Sequence, residues 1–471
     1  RNTALGYYTL DTNSTGENNT AVGYNSMRYN TTGQENTAVG KDALQANTTA
    51  WYNTAVGLSA LYTNTTGTRN TAVGRTALQY NTTGSDNTAV GRSALAQNTT
   101  AGYNTAVGSG ALAQNTTGDY NTAVGRDCLV NNTTGLGNSA FGANTLDACT
   151  TGSSNTALGQ NAMTTNTTGV NNTAVGYGSL LDNTTGQENT ALGKDTLANN
   201  TTANNNTAVG YAAMTGNTTG AQNTAVGHGS LYYGTTGDRN TAIGGYSMAD
   251  GNVTGDYNTG VGDNACRELT SGAKNTGVGQ SSLYLNTTGS FNACMGYQAG
   301  YNISTGSNNT CLGYNAGTSN SPSGQLTADS NYVVLGDDNV NNLYCADTSI
   351  ASSDSRDKTD IANFTHGLDW VNKLQPKTYV WDKRSWYGTE EEPLGTPDGS
   401  KKRSKVNIGF LAQDVLAIEQ ADGFSSSNDN MLTVNLTEDG TRYGLKYERL
   451  VPVLVNAIKE LSAKVTALEA K

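Results

Sequence analysis

Small apolar residues recur along the first two-thirds of the chain at a fixed 17-residue step. The pentamer Asn-Thr-Ala-Val-Gly, or a close variant, begins at Asn2 and returns at this step as far as Asn240. One 18-residue step leads to Asn258, and further copies end the series at Asn309. The nineteen copies share the consensus Asn-Thr-Ala-Val-Gly-x-x-Ala/Ser-Leu-x-x-Asn-Thr-Thr-Gly-x-x, whose residues are numbered here as positions 1 to 17. A fixed period this short predicts a solenoid in which each repeat forms one coil.

Within one repeat, the first pentamer has the pattern of a short strand. Thr and Val share one face, and Asn, Ala and Gly share the other. Because both faces are apolar near the centre, we expect burial on both sides, as in stacked parallel strands. Val at position 4 and Leu at position 9 should therefore be buried in every coil. Asn-Thr-Thr-Gly is predicted to be the return turn, with Asn tolerating the left-handed region and Gly permitting a positive φ.

Two further features support stacked coils. Identical coils would align Asn over Asn, which allows ladders of side-chain amides. All five prolines lie at Pro322 or later, where no coil-to-coil hydrogen bond would lose its N–H donor. The extra residue in the 18-residue step should lie in the turn at Ala249–Gly255. A slip inside the strand would turn every following side chain to the other face, so the strand register should survive and Val261 should not point outward.

A 17-residue coil encloses little volume, so one such solenoid alone would be marginally stable. A trimer would place the second apolar face against partner chains. The Asn-Thr-Ala-Val-Gly core resembles the head repeats of trimeric autotransporter adhesins, which form left-handed parallel β-rolls in trimers. The resemblance implies an all-β, parallel β-solenoid or β-roll that assembles as a homotrimer.

Charge is distributed unevenly along the chain. Only 14% of residues are charged, against about 25% in an ordinary globular protein. Residues 353–471 hold 16 of the 27 basic and 18 of the 38 acidic residues, which leaves a net charge of −9 on the rest. An acidic rod would repel phosphate, so nucleic acid is not an expected partner. No apolar run approaches a membrane span, so membrane insertion is not expected either. The start at Arg1, inside a repeat, suggests a fragment or a processed product.

Cysteine and histidine are too scattered to predict a metal site, and no cofactor is expected. Cys128, Cys149 and Cys266 replace repeat residues at positions 8, 12 and 9, and we interpret them as small buried side chains. Cys294 and Cys311 replace Ala at position 3 of adjacent coils, where a disulfide is possible but not favoured. Many copies contain Asn-Thr-Thr, a glycosylation sequon, which we interpret as turn chemistry, with a sugar-coated rod as the alternative.

Near residue 325 the repeat stops and a different sequence style begins. Asn331-Tyr-Val-Val-Leu-Gly and Asn342-Leu-Tyr-Cys are predicted to be strands that close the solenoid. The boxes Ser353-Asp-Ser-Arg-Asp-Lys358 and Gly409-Phe-Leu-Ala-Gln413 follow, with a helix over residues 447–471 at the end. This order resembles the intramolecular chaperone and self-cleaving domain of the peptidase S74 family, which caps phage tail fibres and tailspikes. We therefore predict a shaft at 1–321, connector strands at 322–352 and a small α/β chaperone domain at 353–471.

The resemblance implies a Ser/Lys dyad. Ser353 would be the nucleophile, Lys358 its base, and the chain would be cut once between Ser352 and Ser353. A serine needs such a base, and a lysine loses its proton more easily when it is removed from water. The alternative is that Ser353 and Lys358 lie in a surface turn without a catalytic role. Any enzyme activity would be this single self-cleavage.

The last helix carries a heptad pattern, with Leu454, Ile458, Leu461, Val465 and Leu468 at 4-3-4-3 spacing, which predicts a coiled-coil seam. Residues 383–405, rich in Gly, Pro, Lys and Glu, are predicted to form an exposed arm.

The function we predict is structural: a viral tail fibre or similar surface appendage. A trimeric rod, on a virion tail or an extracellular surface, would attach to a host receptor or glycan. The alternative is a bacterial surface adhesin with the same cap. A polysaccharide-degrading tailspike is disfavoured because the repeats offer no isolated pair of carboxylates.

Overall fold

The computed structural model describes residues 1–340, 358–388, 394–424, 431–436 and 442–470. It divides into two compact units, one of residues 1–310 with 328–332 and one of residues 311–327 with 333–471. Each unit is described by itself below.

The first unit is built from three-residue strands, one for each coil. Each strand occupies positions 2 to 4 of its repeat and is followed by a turn-rich return to the next strand. The strands are β1 Thr3–Leu5, β2 Thr20–Val22, β3 Thr37–Val39, β4 Thr54–Val56, β5 Thr71–Val73, β6 Thr88–Val90, β7 Thr105–Val107, β8 Thr122–Val124, β9 Ser139–Phe141, β10 Thr156–Leu158, β11 Thr173–Val175, β12 Thr190–Leu192, β13 Thr207–Val209, β14 Thr224–Val226, β15 Thr241–Ile243, β16 Thr259–Val261, β17 Thr276–Val278, β18 Ala293–Met295 and β19 Thr310–Leu312.

Neighbouring strands pair in parallel with equivalent residues in register. Thr20 lies beside Thr37, for example, and Thr37 beside Thr54. The same register continues to the pairing of β17 with β18. The chain is thus an all-β parallel solenoid of 17-residue coils, which confirms the fold predicted from the period.

Two columns of buried asparagines run through the coils. In the column at position 1, the Asn36 side chain donates to the Asn19 Oδ1 atom at 3.2 Å and to the Ala50 carbonyl at 2.8 Å. In the column at position 12, the Asn47 side chain donates to the Asn30 Oδ1 atom at 2.7 Å. The predicted amide ladders are confirmed. Because the position-12 asparagines of the Asn-Thr-Thr sequons are buried, the folded coil does not present their amides for glycosylation.

The typical coil bends at the Thr-Thr of Asn-Thr-Thr-Gly as predicted, for example at Thr48 and Thr49, but its left-handed residues lie elsewhere. The consensus turn Asn-Thr-Thr-Gly contains no residue with positive φ in a typical coil. Instead, the left-handed region is occupied at positions 7, 9 and 17, as at Asp42 with φ 57°, Leu44 with φ 50° and Glu35 with φ 59°. A leucine rarely adopts this conformation. The N–H of Leu44 donates to the carbonyl of Ala60 in the next coil at 2.9 Å, and this bond repeats along the stack.

Glycine occupies position 5 of every coil and position 15 of most coils, where successive coils approach closely, although Ala50, Ala101 and Ala203 stand at position 15 of three coils. At position 5, Gly91 has φ 139°, and a Cβ atom would lie 2.3 Å from the carbonyl oxygen of Gly108. At position 15, a Cβ atom on Gly84 would lie 2.3 Å from the carbonyl oxygen of Ala101. The position-15 glycine thus relieves a close approach and does not serve a positive φ, and the three coils with alanine there show that it is not strictly required.

Burial matches the prediction at one of its two apolar positions. Leu at position 9 is fully buried, as Leu44 and Leu95 show. Val at position 4 is not: Val39 is 37% exposed and Val107 is 37% exposed in the single chain. Among the strand residues, Ala at position 3 is the one whose side chain lies buried inside the coil. The Val prediction is wrong for one chain because the strand turns Thr and Val outward and encloses Asn and Ala.

The 18-residue step leaves the strand register unchanged. Thr241 pairs with Thr259 and Ile243 with Val261, as in the other coils. The extra residue lies in the turn, where buried Val253 accepts hydrogen bonds at its carbonyl from the N–H groups of Thr235 and Gly237. Val261 is half-buried and faces outward like the other position-4 side chains, so its predicted inward orientation is wrong although the register is kept. The predicted location of the insertion is confirmed.

The second unit contains the last strands and the described helices. The strand β20 Val333–Leu335 pairs with β19, and Gly336 donates to the Leu312 carbonyl at 2.7 Å. The strands β21 Lys377–Val380 and β22 Val406–Gly409 form an antiparallel pair, as do β23 Val434–Leu436 and β24 Tyr443–Leu445. The helices are α1 Leu368–Lys373, α2 Ala412–Ala421 and α3 Leu450–Glu469, with short 3₁₀ turns at Arg384–Tyr387 and Tyr447–Arg449. This is the small α/β region and terminal helix that the sequence predicted.

The cysteines in the described coils are buried as predicted. Burial raises the pKa of the Cys128 thiol and of the Cys266 thiol to about 12 each, and that of the Cys149 thiol to about 11. The predicted strand at Asn342–Cys345 lies outside the described residues.

Candidate functional site

The predicted dyad is only half within the described residues. Ser353 and the predicted cut lie outside them. Lys358 begins the segment 358–388 and is exposed in the single chain. The pairing of Ser353 with Lys358 therefore stays a prediction.

The chain that follows Lys358 is fixed against the terminal helix. Asn456 of α3 donates to the carbonyl of Phe364 at 2.7 Å and to that of His366 at 3.3 Å. Glu460, one turn further along α3, accepts a hydrogen bond from the N–H of Leu368 at 3.1 Å. This N–H is one of the donors that the first turn of α1 leaves without a partner inside the helix. The terminal helix thus sets the path of the segment downstream of the dyad.

An aromatic cluster forms the core between α1 and α3. Trp370 is buried, and its ring lies 5.6 Å from that of His366 and 6.4 Å from that of Phe364. Its indole N–H donates to the carboxylate of Asp422, which also lies 3.6 Å from Lys373. The buried indole therefore has the polar partner that its N–H requires.

Glu419 is a fully buried carboxylate in α2 whose role is structural. Its oxygens accept hydrogen bonds from the N–H groups of Leu432 at 3.2 Å, Thr433 at 2.7 Å and Val434 at 3.2 Å. The Thr433 hydroxyl also donates to it. Charge-assisted bonds of this kind offset the cost of burying a carboxylate. Glu419 thus fastens β23 to α2, and sequence reasoning did not single it out.

A second buried carboxylate, Asp338, contacts cationic side chains that are distant from it in the sequence. Its side chain is 7% exposed and lies 3.2 Å from Arg442 and 3.9 Å from Lys383. Ser385 donates a hydrogen bond to the same carboxylate. Burial lowers the pKa of Lys383, and the neighbouring Asp338 opposes that change. Lys383 and Ser385 are therefore packed against Asp338, so the prediction of an exposed arm at 383–405 is wrong for these two residues.

The predicted heptad seam of α3 faces outward in the single chain. One side of the helix is covered by the domain through Leu450, Val453 and Ala457. The adjoining stripe, which continues beyond the covered turns of the helix, is 45–70% exposed at Leu454, Ile458, Leu461, Val465 and Leu468. These are the five positions that the 4-3-4-3 spacing selected.

A ladder of rings and cations crosses the coils of the first unit. Eight consecutive coils each contribute one member: Tyr177, Lys194, Tyr211, His228, Tyr246, Arg267, Tyr284 and Tyr301. Neighbouring members are 4.8 to 5.9 Å apart. Lys194, for example, lies 5.6 Å from the Tyr211 ring, and Tyr284 stacks on Tyr301 at 4.9 Å. We call these eight residues the surface ladder.

The described residues also bear on metal binding and on membrane insertion. They contain no group of three or more His, Cys, Asp or Glu residues placed to hold a metal ion. Of the helices among them, none is both long and apolar enough to cross a membrane.

Comparison with known proteins supports the assignment of the C-terminal region. No curated protein matches the chain. Residues 353–424, however, match the model of a protein family, and this match includes the predicted dyad, α1 and α2. The combination of a parallel β-solenoid with this C-terminal match fits a fibre-like protein of the tail-fibre type. The C-terminal region at residues 353–424 thus matches the family Peptidase_S74, described as the chaperone of endosialidase.

Proposed function

We propose that the chain is the subunit of a homotrimeric fibre, a viral tail fibre or a similar surface appendage, that attaches to a host receptor or glycan. The C-terminal domain acts as an intramolecular chaperone that drives assembly of the trimer. Chaperone-of-endosialidase domains are associated with trimer assembly and with phage tail appendages, which supports this proposal.

The observation that carries the proposal is the apolar column at position 4. One Val, Leu, Ile, Phe or Met projects outward from each coil, with exposures such as 36% at Val73, 39% at Phe141 and 49% at Leu158. A continuous apolar stripe of this length is rare on a monomeric protein and marks an interaction surface. Because every coil repeats the stripe, a second and third copy of the same chain would match it along its whole length.

The exposed heptad stripe of α3 supports the same assembly. Its five aliphatic side chains are left uncovered, while the adjoining face of the helix packs on the domain. Residues at this spacing pack into the matching spaces of parallel partner helices. Self-association would cover the position-4 column and the α3 stripe together.

The oligomeric state tests this part of the proposal. The intact chain should have the mass of three subunits by size-exclusion chromatography with light scattering. Replacing Val73, Val90 and Val107 together by Lys should abolish the trimer, because charges would then face one another in an apolar contact. The exposed Gln97, replaced by Lys, is the matched control and should leave the trimer intact. A monomeric mass for the intact chain would refute the proposal.

We further propose that the domain cuts its own chain once, between Ser352 and Ser353. The Ser353 hydroxyl attacks the carbonyl carbon of Ser352 while Lys358 accepts its proton, and the Ser352–Ser353 C–N bond breaks as its nitrogen takes up a proton. Water then hydrolyses the resulting ester, which leaves a carboxylate on Ser352 and a free α-amino group and hydroxyl on Ser353. A lysine serves as a base only when it is unprotonated, and removal from water favours that form. Lys358 is exposed in the single chain, so partner chains would have to cover it. Cleavage would then follow assembly and report its completion.

Mass spectrometry of wild type and variants tests the cut. Wild type should release a fragment that begins at Ser353 and ends at Lys471. Ser353→Ala and Lys358→Ala should stay full-length, whereas Ser355→Ala, the control for a neighbouring hydroxyl, should still be cut. The triple Val→Lys variant should also remain uncut because it does not assemble. An uncut wild-type trimer would leave the domain as a chaperone without protease activity.

For attachment, the surface ladder offers the side chains that recognition surfaces use most, since Tyr and Arg are enriched at the energetic centres of interfaces. Binding of labelled trimers to bacterial cells, before and after periodate oxidation of their glycans, tests attachment. The double variant Tyr284→Ala, Tyr301→Ala should bind more weakly. Tyr80→Ala, at an exposed tyrosine outside the ladder, should bind as wild type does. Equal binding by both variants would exclude the ladder as the attachment surface.

A further inference from the structure

The contacts of Asp338 join chain segments on opposite sides of the predicted cut. Arg442 donates to the carbonyl of Ser321 at 2.6 Å and to the carbonyl of Ser319 at 2.5 Å. The same guanidinium lies 3.2 Å from both carboxylate oxygens of Asp338. Arg442 therefore binds three acceptors that all precede Ser352 in sequence.

Two more side chains from the C-terminal part of the chain contact Asp338. The Lys383 ammonium donates to the backbone carbonyl of Asp338 at 2.9 Å, and the Ser385 hydroxyl donates to its carboxylate. Both residues follow Ser353 in sequence. All of these residues belong to one compact unit, so the contacts lie inside a single folded body.

The burial of these groups indicates that the contacts are strong. The side chains of Asp338, Arg442 and Lys383 are 7%, 17% and 25% exposed. Charged groups withdrawn from water form shorter and stronger hydrogen bonds, and removing one partner leaves the other uncompensated. A single surface ion pair would contribute little by comparison.

We propose that Arg442, with Lys383 and Ser385, forms a noncovalent latch on Asp338 that holds residues 353–471 on the segments 311–327 and 333–340 of the same unit after the backbone is cut. The proposal rests on the proposed self-cleavage for its biological setting. The latch makes the C-terminal domain a cap that stays on the fibre when the peptide bond is broken. Its partner is therefore a segment of the same chain, and cleavage and release are separate events.

An added protease site separates this test from self-cleavage. A recognition sequence is inserted between Asp347 and Thr348 of the full chain, in a Ser353→Ala background that cannot cut itself. After digestion, the two fragments should co-elute in size-exclusion chromatography at physiological salt. Arg442→Gln should raise the dissociation constant of the fragments about 100-fold, the scale for removing one partner of a desolvated charge pair.

Matched variants make the result specific. Arg449→Gln is the control, because Arg449 donates to the Leu432 carbonyl at 2.9 Å and so binds within the C-terminal fragment. It should leave the fragments together. Asp338→Asn should release them as Arg442→Gln does, while each uncut variant keeps the wild-type mass and circular dichroism.

Two outcomes would overturn the latch. The first is dissociation of the cut wild-type fragments to the same extent as the Arg442→Gln fragments. The second is co-elution of the cut Arg442→Gln fragments. Neither outcome bears on whether Ser353 cleaves the chain, because the added protease makes the cut in every sample.

Discussion

The buried asparagine column at position 1 makes a quantitative prediction at Asn172. Its side chain donates to the Gly186 carbonyl at 2.8 Å and to the Asn155 Oδ1 atom at 3.2 Å. Its own Oδ1 atom accepts from the backbone N–H of Asn189 at 3.0 Å. In Asn172→Ala the Gly186 carbonyl keeps a second donor, Asn183, at 3.1 Å. The N–H of Asn189 loses the side-chain acceptor and stays buried.

These losses set the size of the effect. A buried donor without a partner costs about 1 to 3 kcal/mol, and each further hydrogen bond lost about 1 kcal/mol. Asn172→Ala should therefore destabilise its coil by about 3 to 5 kcal/mol. The neighbouring Asn171 is exposed and has φ 58°. Asn171→Ala makes the same chemical change there and should cost only about 1 kcal/mol, from the left-handed backbone.

Hydrogen exchange is the suitable assay because a solenoid opens locally, coil by coil, and not as one cooperative unit. A free-energy change of about 1.4 kcal/mol corresponds to a tenfold change in an equilibrium constant. The amides of the coils that begin at Asn172 and Asn189 should exchange about 150- to 4,000-fold faster in Asn172→Ala than in wild type. Exchange no faster than in Asn171→Ala would refute the idea that the ladder holds the coils together.

Three further predictions follow from single residues of the coils. The Cys266 thiol, whose pKa burial raises to about 12, should have about one thiolate in ten thousand molecules at pH 8. The Cys266 thiol should therefore react with a disulfide reagent only after the protein is unfolded in guanidinium. The extent of this reaction is measured by absorbance. Gly91→Ala should separate its coil from the next, because the new Cβ atom would lie 2.3 Å from a carbonyl oxygen. Gly137→Ala, which meets no atom closer than 4.0 Å, should be milder in the same exchange assay. The hydrogen bond from Arg69 lowers the pKa of Asp86. A carboxyl whose pKa is depressed in the folded state stabilises above its unfolded pKa, and this contribution is lost as the pH falls through the folded value. Asp86→Asn should remove that part of the acid dependence of local exchange.

The sequence was sufficient to predict the solenoid because the period constrains every coil at once. The asparagine ladders followed from stacking alone, since a polar residue repeated at a fixed step must meet its own copy. The conformation of the bends did not follow. Leu44 in the left-handed region contradicts its intrinsic preference. Only the hydrogen bond of its N–H to the next coil, a tertiary contact, explains that conformation.

The orientation of Val at position 4 was mispredicted for a related reason. An apolar residue on each face of a strand predicts burial on both sides, but it does not tell which face lies inside the same chain. The structure places Ala inside and Val outside, because a coil of this size has room for only a small side chain at position 3. The apolar pattern predicted a second apolar face that partner chains would cover, but it did not tell whether Ala or Val lies on that face.

In the C-terminal region, sequence patterns identified the family boxes but missed Glu419, Asp338 and Arg442. Asp338 and Arg442 are 104 residues apart in the chain. No spacing rule relates two such residues, so only the folded coordinates bring them together. Glu419 lies in a helix with few charged neighbours, where a carboxylate would ordinarily face solvent.

The regularity of the coils explains why the proposed fibre would need a non-repeating domain. In the proposed trimer, a slip of one coil between chains would match almost every position-4 side chain with an equivalent and would lose only one coil of contact in nineteen. The energy difference between correct and shifted registers would therefore be small. Features that break the repeat, such as the 18-residue step and the heptad stripe of α3, restore a unique alignment. The domain that carries α3 is thus in a position to set the register before the coils pair.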